Sequence, residues 1–250
     1  DKYYIYDSGG GNSLSFDGED DYVEVSDSDE LAGMSQLTTQ FWIKFDEYSL
    51  DYEQGYIFLD KSEHGQDANL IPSYSFYTHY DVDALTFLVK TENAQIGANL
   101  FDYSSYVNLN QWYLFTGVYD GQKIQLYIDG TLMAESALTG SVIQTEYPLH
   151  FANSLNNSNS KNFTGKMDGV SIWDTALNSS QIQNSLTSEF NGDEEGLVGL
   201  WKFNAGEGNI LYDHSGNQNH GTINGATWSS DVPYAIVDTV TNVNNTAFVR

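Results

Sequence analysis

Apolar and polar residues alternate with period two along most of this chain. The cleanest run is Leu37-Thr-Thr-Gln-Phe-Trp-Ile-Lys-Phe45. Leu37, Thr39, Phe41, Ile43 and Phe45 face one way, and Thr38, Gln40, Trp42 and Lys44 the other. Similar runs cover Gly55–Asp60, Tyr74–Tyr80, Ala84–Lys90, Tyr147–Asn153, Thr164–Trp173 and Gly196–Phe203. Trp112–Tyr119, Gln122–Ile128 and Thr131–Glu135 are separated by Asp120-Gly121 and Asp129-Gly130. Glycine tolerates the positive φ of tight turns, so these three runs predict an antiparallel meander with Ile124, Leu126 and Ile128 on its buried face. Helical periodicity is found over Ser179–Leu186, where Asn178 is placed to cap and Ile182 and Leu186 share a face. About a dozen strands with one short helix predict an all-β protein: an antiparallel two-sheet sandwich, ordinary as one domain at this length. Asn99–Asn110 reads as a loop, and Gly206–Gly225 as a Gly/Asn-rich stretch.

Leu14-Ser-Phe-Asp-Gly-Glu-Asp-Asp-Tyr-Val-Glu-Val25 is two short strands around an Asp-Gly turn. Its acid load is unusual, with Asp17, Glu19, Asp20 and Asp21 falling within five residues. Carboxylates so close repel one another. A hard cation relieves the repulsion, and all-oxygen ligands suit calcium. The plainer reading is a solvated acidic turn. Glu19, Asp21 and Glu24 also fit Glu-x-Asp-x-x-Glu, a pattern carried by retaining sandwich glycosidases, with Glu19 and Glu24 as the carboxylate pair. Asp20 fills a position that is apolar in such catalytic strands, and chance matches are expected in so acidic a chain.

Charge and composition narrow the functions. Asp and Glu number 35 against 9 Lys and Arg, a formal charge of −26. Such a surface repels phosphate backbones and anionic lipid, so nucleic-acid partners are not expected. No run of about 18 apolar residues exists, so membrane insertion is not expected either. The absence of cysteine excludes disulfides and thiolate metal sites. His64, His79, His150, His214 and His220 show no zinc-ligand spacing. Asp213–Gly221 alternates oxygen-bearing side chains but lacks the glycine and terminal acid of an EF-hand loop, and reads as a structural turn. Glycan sites pair flat aromatic faces with neutral or acidic hydrogen-bonding groups. Tyr48, Tyr52, Tyr103 and Tyr106 on loops, and Tyr77 and His79 on a strand, have such surroundings. The alternative for each is a strand tyrosine packed with its hydroxyl at the rim.

Four stretches together resemble the laminin-G-like jelly rolls of the concanavalin A-like lectin/glucanase superfamily: Leu14–Val25, Trp112–Gly130, Gly165–Leu177 with the helix after it, and Gly196–Phe203 followed by Asp213–Gly221 and Gly225–Trp228. The resemblance implies a jelly-roll domain over 12–233, an N-terminal extension over 1–11 and a tail over 234–250, either linker or extra strand. It implies that the strands near Phe16 and Val170 lie side by side. It places calcium at Asp17 and Asp168, with Asp20 alongside. The function it implies is a calcium-stabilised, non-catalytic binding module, extracellular or at the cell surface. The partner would be a glycan or a cell-surface protein. A structural or adhesive subunit is the second reading, with self-assembly through terminal strands, and a glycoside hydrolase or polysaccharide lyase the third. Ile236–Thr241 alternates like a strand, and we expect the tail to be ordered against a partner within the chain or across an assembly.

Overall fold

A computed structural model describes residues 2–4, 11–48, 55–62, 72–79, 82–152, 160–233 and 236–238. Among them, in chain order, are strands β1 (Lys2–Tyr4), β2 (Ser13–Asp17), β3 (Tyr22–Val25), β4 (Leu37–Phe45), β5 (Gly55–Ser62), β6 (Pro72–Thr78), β7 (Ala84–Lys90), β8 (Gln95–Phe101), β9 (Trp112–Tyr119), β10 (Lys123–Ile128) and β11 (Thr131–Ala137). Then come β12 (Leu149–Phe151), β13 (Ser160–Lys161), β14 (Thr164–Trp173), helix α1 (Ser179–Asn184), β15 (Leu197–Trp201), β16 (Ile210–Leu211), β17 (Gly221–Asn224), β18 (Thr227–Ser229) and β19 (Ile236–Asp238). Short 3-10 turns occur at Asp29–Leu31 and Tyr103–Ser105.

Two antiparallel sheets form the sandwich. One has eight strands in the order β11-β10-β9-β4-β14-β2-β18, with β15 also on β14. The other has nine in the order β16-β17-β3-β12-β5-β6-β7-β8, with β13 parallel to β5. The alternation seen in the sequence sets their inner faces. Phe41, Ile43 and Phe45 of β4, Phe115 of β9, Phe58 of β5 and Phe76 of β6 are fully buried. Their rings meet edge to face, as in Phe41–Phe76 at 5.1 Å and Phe45–Phe58 at 5.4 Å. The sheets approach closely where Phe87 of β7 lies on Gly117 of β9. A Cβ there would sit 2.5 Å from the ring, so glycine is required.

The meander β9-β10-β11 forms as the Asp-Gly turns predict, with Ile124 and Leu126 buried. β2 pairs with β14 at Phe16↔Gly165 and Leu14↔Met167, which brings the start and the late part of the chain together. The Asp213 turn is structural: its carboxylate accepts the backbone amides of Leu200, Ser215 and Asn219.

Three readings are corrected or sharpened. The Asp17-Gly18 turn does not join a hairpin. β2 belongs to the eight-stranded sheet and β3 to the nine-stranded one, so this turn carries the chain between layers. The stretch from Asn99 is not all loop, because β8 runs on to Phe101. Gly97, Ala98 and Asn99 are weak strand formers, which hid its alternation. Of the expected tail strand Ile236–Thr241, β19 covers Ile236–Asp238 and pairs with β1 at Tyr4↔Ile236 and Lys2↔Asp238, within the chain; residues 234–235 and 239–250 lie outside the described residues.

Candidate functional site

The outer faces of the two sheets have different fates. On the eight-stranded sheet, alternation points Trp42, Leu114, Val118, Tyr127 and Trp173 outward, and all are buried. The short helix α1 and the segment after it cover them. Ile182, Leu186, Leu177 and Phe190 pack onto this surface, with Trp173 and Phe190 at 4.8 Å. A capping box holds α1 in place: Asn178 Oδ1 accepts the amides of Ser180 and Gln181, and Gln181 Oε1 accepts that of Asn178.

No helix lies among the described residues to cover the nine-stranded sheet in this way. Its outward positions are mixed: polar and aromatic residues stand among a few aliphatic ones, Ile57, Ala84 and Leu88. Cross-strand register sets Tyr77 on β6 opposite Thr86 on β7, and Thr86 opposite Asn99 on β8. Thr86 Oγ1 donates to Asn99 Oδ1 at 2.6 Å and lies 2.9 Å from His79 Nε2. The hydroxyl has one proton, given to Asn99, so His79 Nε2 is the donor. The rings of Tyr77 and His79 lie 5.1 Å apart, both half-buried. Two expected ligand residues are therefore brought together, and joined by two hydrogen-bonding residues that the sequence reading had not singled out.

A second row crosses the same face one step along: Thr222, Glu24, His150, Asp60 and Ser75 on β17, β3, β12, β5 and β6. Glu24 Oε2 is 3.3 Å from His150 Nε2, and Tyr22 packs edge-on against His150 at 6.0 Å. Burial pushes the Asp60 carboxyl up to about 6, opposed by hydrogen bonds from Ser62 and Ser75. Burial lowers His150, with Glu24 opposing. This row is buried at its centre and supports the face from within the sheet.

The remaining expected ligand residues stand elsewhere. Tyr48 and Tyr103 do meet, at 6.2 Å, but in the core: Tyr103 is 1% exposed and the Tyr48 hydroxyl donates to the Val107 carbonyl. Tyr106 is exposed, just past the second 3-10 turn. Tyr52 lies outside the described residues.

At the crossover turn, Asp17, Asp20 and Asp21 each offer a carboxylate oxygen within 4.8 Å of the others. Asp21 is 5% exposed. Burial raises its carboxyl, the Asp17 and Asp20 charges raise it further, and a hydrogen bond from the Asp17 amide opposes them. Gly225, at φ +77°, leaves room for this carboxylate, since a Cβ there would sit 2.0 Å from Asp21 Oδ1. Asn162 Nδ2 donates to the Glu19 carbonyl and ties the turn to β14's approach. A cradle of hard oxygens with mutual repulsion is the donor set calcium takes.

The model of a laminin-G family in the concanavalin A-like lectin/glucanase superfamily matches residues 17–183. The chain belongs to that superfamily. No curated protein matches it by sequence. Among solved structures it resembles a protein of Bacteroides ovatus ATCC 8483 proposed to bind carbohydrate, at 20% identity and TM-score 0.67, over 90% of this chain and 61% of the other. The binding domain of Paraclostridial Mosquitocidal Protein 1 gives 16% identity and TM-score 0.51, over 66% of this chain and 40% of the other. The binding domain of botulinum neurotoxin serotype D gives 16% and 0.51, over 70% and 41%. The likeness is one of fold. The chain spans about six tenths of the Bacteroides protein and about four tenths of each toxin domain.

The superfamily resemblance had joined Asp17 to Asp168, and the structure keeps them apart. Asp17 pairs with Thr164 on β14, while Asp168 lies four residues further along the strand, a separation of about 13 Å. Asp168 is 3% exposed, opposite Trp42 beside a bulge. Burial drives its carboxyl well above the ordinary range, and the Glu189 charge adds to this. Asp21, not Asp168, completes the acidic cluster with Asp17 and Asp20.

Proposed function

We propose that this chain is a non-catalytic glycan-binding module, and that its ligand rests on the outer face of the nine-stranded sheet at Tyr77, His79 and Asn99. The observation that carries this is the pairing of two half-buried rings with a Thr86–Asn99 hydrogen-bond relay, on the sheet face that α1 does not cover. A sugar ring has C–H groups across its face and hydroxyls at its rim, and this combination meets both. Membership of a lectin/glucanase superfamily and the fold shared with a Bacteroides protein proposed to bind carbohydrate support the same reading.

Calcium at Asp17, Asp20 and Asp21 would stabilise the crossover between the sheets. The ion would neutralise the three carboxylates and fix the turn, and it has no chemical step to perform. Turnover is not expected. Glu19 sits in the crossover turn, whereas Glu24 faces His150 on the sheet, so the two do not form a facing pair. The working location is outside the cell or at its surface, where calcium is plentiful. The adhesive-subunit reading gains less support, because β19 finds its partner in β1 of the same chain.

A glycan array probed with the intact chain, in millimolar calcium and in chelator, tests this. Discrete glycan signals lost in Tyr77→Ala are expected. Absence of binding in both conditions, or release of reducing sugar that Glu24→Gln abolishes, overturns it.

A further inference from the structure

The described residues expose six large apolar side chains, and three of them, Val82, Phe101 and Tyr106, fall at one end of the nine-stranded sheet. Phe101 is the most exposed of the six, at 62%. It ends β8, directly opposite Ala84 on β7, and its neighbours Leu100 and Ala98 account for that strand's contribution to the core. Phe101 therefore points outward on the same face as Asn99, two residues before it. The His79 amide bonds the Ala84 carbonyl, so His79, Ala84 and Phe101 form a line across β6, β7 and β8. Its position is held: the Asp102 amide donates to the Asp83 carbonyl at 2.7 Å, and Ser104 Oγ donates to Asp83 Oδ2 at 2.5 Å. Ala84 between the two rings is small, which leaves the floor between them flat.

We propose that Phe101 is a second aromatic contact of the glycan site, and that the ligand is an uncharged glycan of at least two sugar units laid across β6, β7 and β8. This rests on the glycan reading above and extends it. Strands two apart are separated by about 9.5 Å, too far for one sugar ring to lie on both the Tyr77–His79 pair and Phe101. The charge of the ligand follows from the lining. Asp83 and Asp102 stand beside Phe101 at this end of the face. A uronate or sulfated chain at this end would meet repulsion from these acids and from the net charge of −26, while Lys90, the lysine on this face of β7, stands six residues away from Ala84 at the other end of the strand. The same repulsion opposes an anionic membrane as the partner of this aromatic end. Asn99 and His79 supply hydrogen-bonding groups between the two aromatic positions, with Thr86 buried beneath and bonded to both.

The test uses the intact chain in calcium, with affinity electrophoresis against a panel of uncharged and uronate polysaccharides and calorimetry with the matching mono- and oligosaccharides. Phe101→Ala should keep the wild-type melting temperature, because the side chain is exposed. It should weaken binding of the uncharged polysaccharide roughly tenfold, leave monosaccharide binding at Tyr77–His79 unchanged, and be rescued by Phe101→Trp. Phe101→Ala binding as tightly as wild type, or uronate chains bound as tightly as uncharged ones, overturns the inference and leaves the glycan reading standing. Wild type that binds no member of the panel sinks both.

Discussion

The outer faces of the two sheets are written in the same period-two pattern and end in opposite states. On the eight-stranded sheet the outward set is Trp42, Leu114, Val118 and Trp173, and a six-residue helix closes over it. On the nine-stranded sheet the outward set is Tyr77, Thr86, Asn99 and Phe101, with Glu24, His150 and Asp60 beside it. On the proposed reading, the difference separates a face used for stability from a face offered to a ligand. Apolar outward positions demand a cover, and the chain supplies it in α1, which begins six residues after β14 ends. Hydrogen-bonding outward positions, buried at the centre of the face, satisfy one another across the strands.

The comparison breaks most directly if the two faces are not independent. Ile182 is fully buried at the centre of the helix cover. Ile182→Ala should cost about 3 kcal/mol through lost burial and the cavity left behind. In a chain of this length that corresponds to a fall in melting temperature of roughly 10 °C. Glycan affinity measured below the transition should not change. Loss of binding in the still-folded variant would mean that the helix face and the ligand face are coupled.

The ligand face should show its own signature in pH. Asp60 titrates near 6 in the folded chain, above its unfolded value, so the native state holds the proton more tightly. The stability it contributes is complete below about pH 4 and is lost as pH rises through about 6. A rise of this size is worth at most about 3 kcal/mol. Asp129, buried in the second Asp-Gly turn and also near 6, acts in the same direction. His150 acts oppositely, since its lowered pKa costs stability as pH falls below its unfolded value. The clean measurement is therefore a difference. Urea unfolding of Asp60→Asn and wild type should agree at pH 4 and diverge by pH 8, with the variant more stable. Equal curves at pH 8 would show that Asp60 ionises without penalty.

The crossover turn belongs to neither face and joins both sheets. Calcium at one hundred times its dissociation constant would add about 2.7 kcal/mol. A calorimetric scan should show the melting temperature rise in millimolar calcium and return on chelation. Asp21→Asn should abolish the response, and Asp168→Asn should leave it intact. A response lost in the Asp168 variant instead would restore the pairing that the superfamily resemblance implied.

How much of this was legible follows from what alternation can carry. The Leu37–Phe45 strand, the meander and the Asn178 cap were readable because each is a local signal: period two, Asp-Gly turns, an oxygen before an apolar pair. The superfamily was readable from four short motifs in order. The acidic turn was visible in sequence, Asp21 included, but Asp21 was passed over because the resemblance favoured Asp168, and only β2–β14 register shows that residue four positions too far along. The six candidate aromatics were chosen by composition, which cannot tell Tyr103 in the core from Tyr77 on a face. Thr86, Asn99 and Phe101 were missed because cross-strand neighbours are set by sheet order. Asn99 and Phe101 had a usable signal, the alternation of Ile96, Ala98 and Leu100, once Gly97 is accepted within a strand.

The smallest effect sharpens the comparison most finely. Asn178 Oδ1 satisfies two amides at the start of α1, at 2.9 and 3.1 Å, and Gln181 returns a bond to the Asn178 amide. A helix of six residues cannot hold itself in water, so its order comes from this cap and from Ile182 on the sheet. Asn178→Ala should cost about 1 kcal/mol, and Asn178→Asp should restore most of it, since a carboxylate also caps and favours the helix N-terminus. Hydrogen exchange should locate the change. Faster exchange is expected at Ile182 and Ser185, whose amides bond the Asn178 and Gln181 carbonyls, with no change at His79 or Asp102 on the ligand face. Faster exchange on both faces would mean that the helix cover orders the whole sandwich. A change confined to α1 would place the chain's stability device and its binding surface on opposite sides of one core, each free to vary without the other.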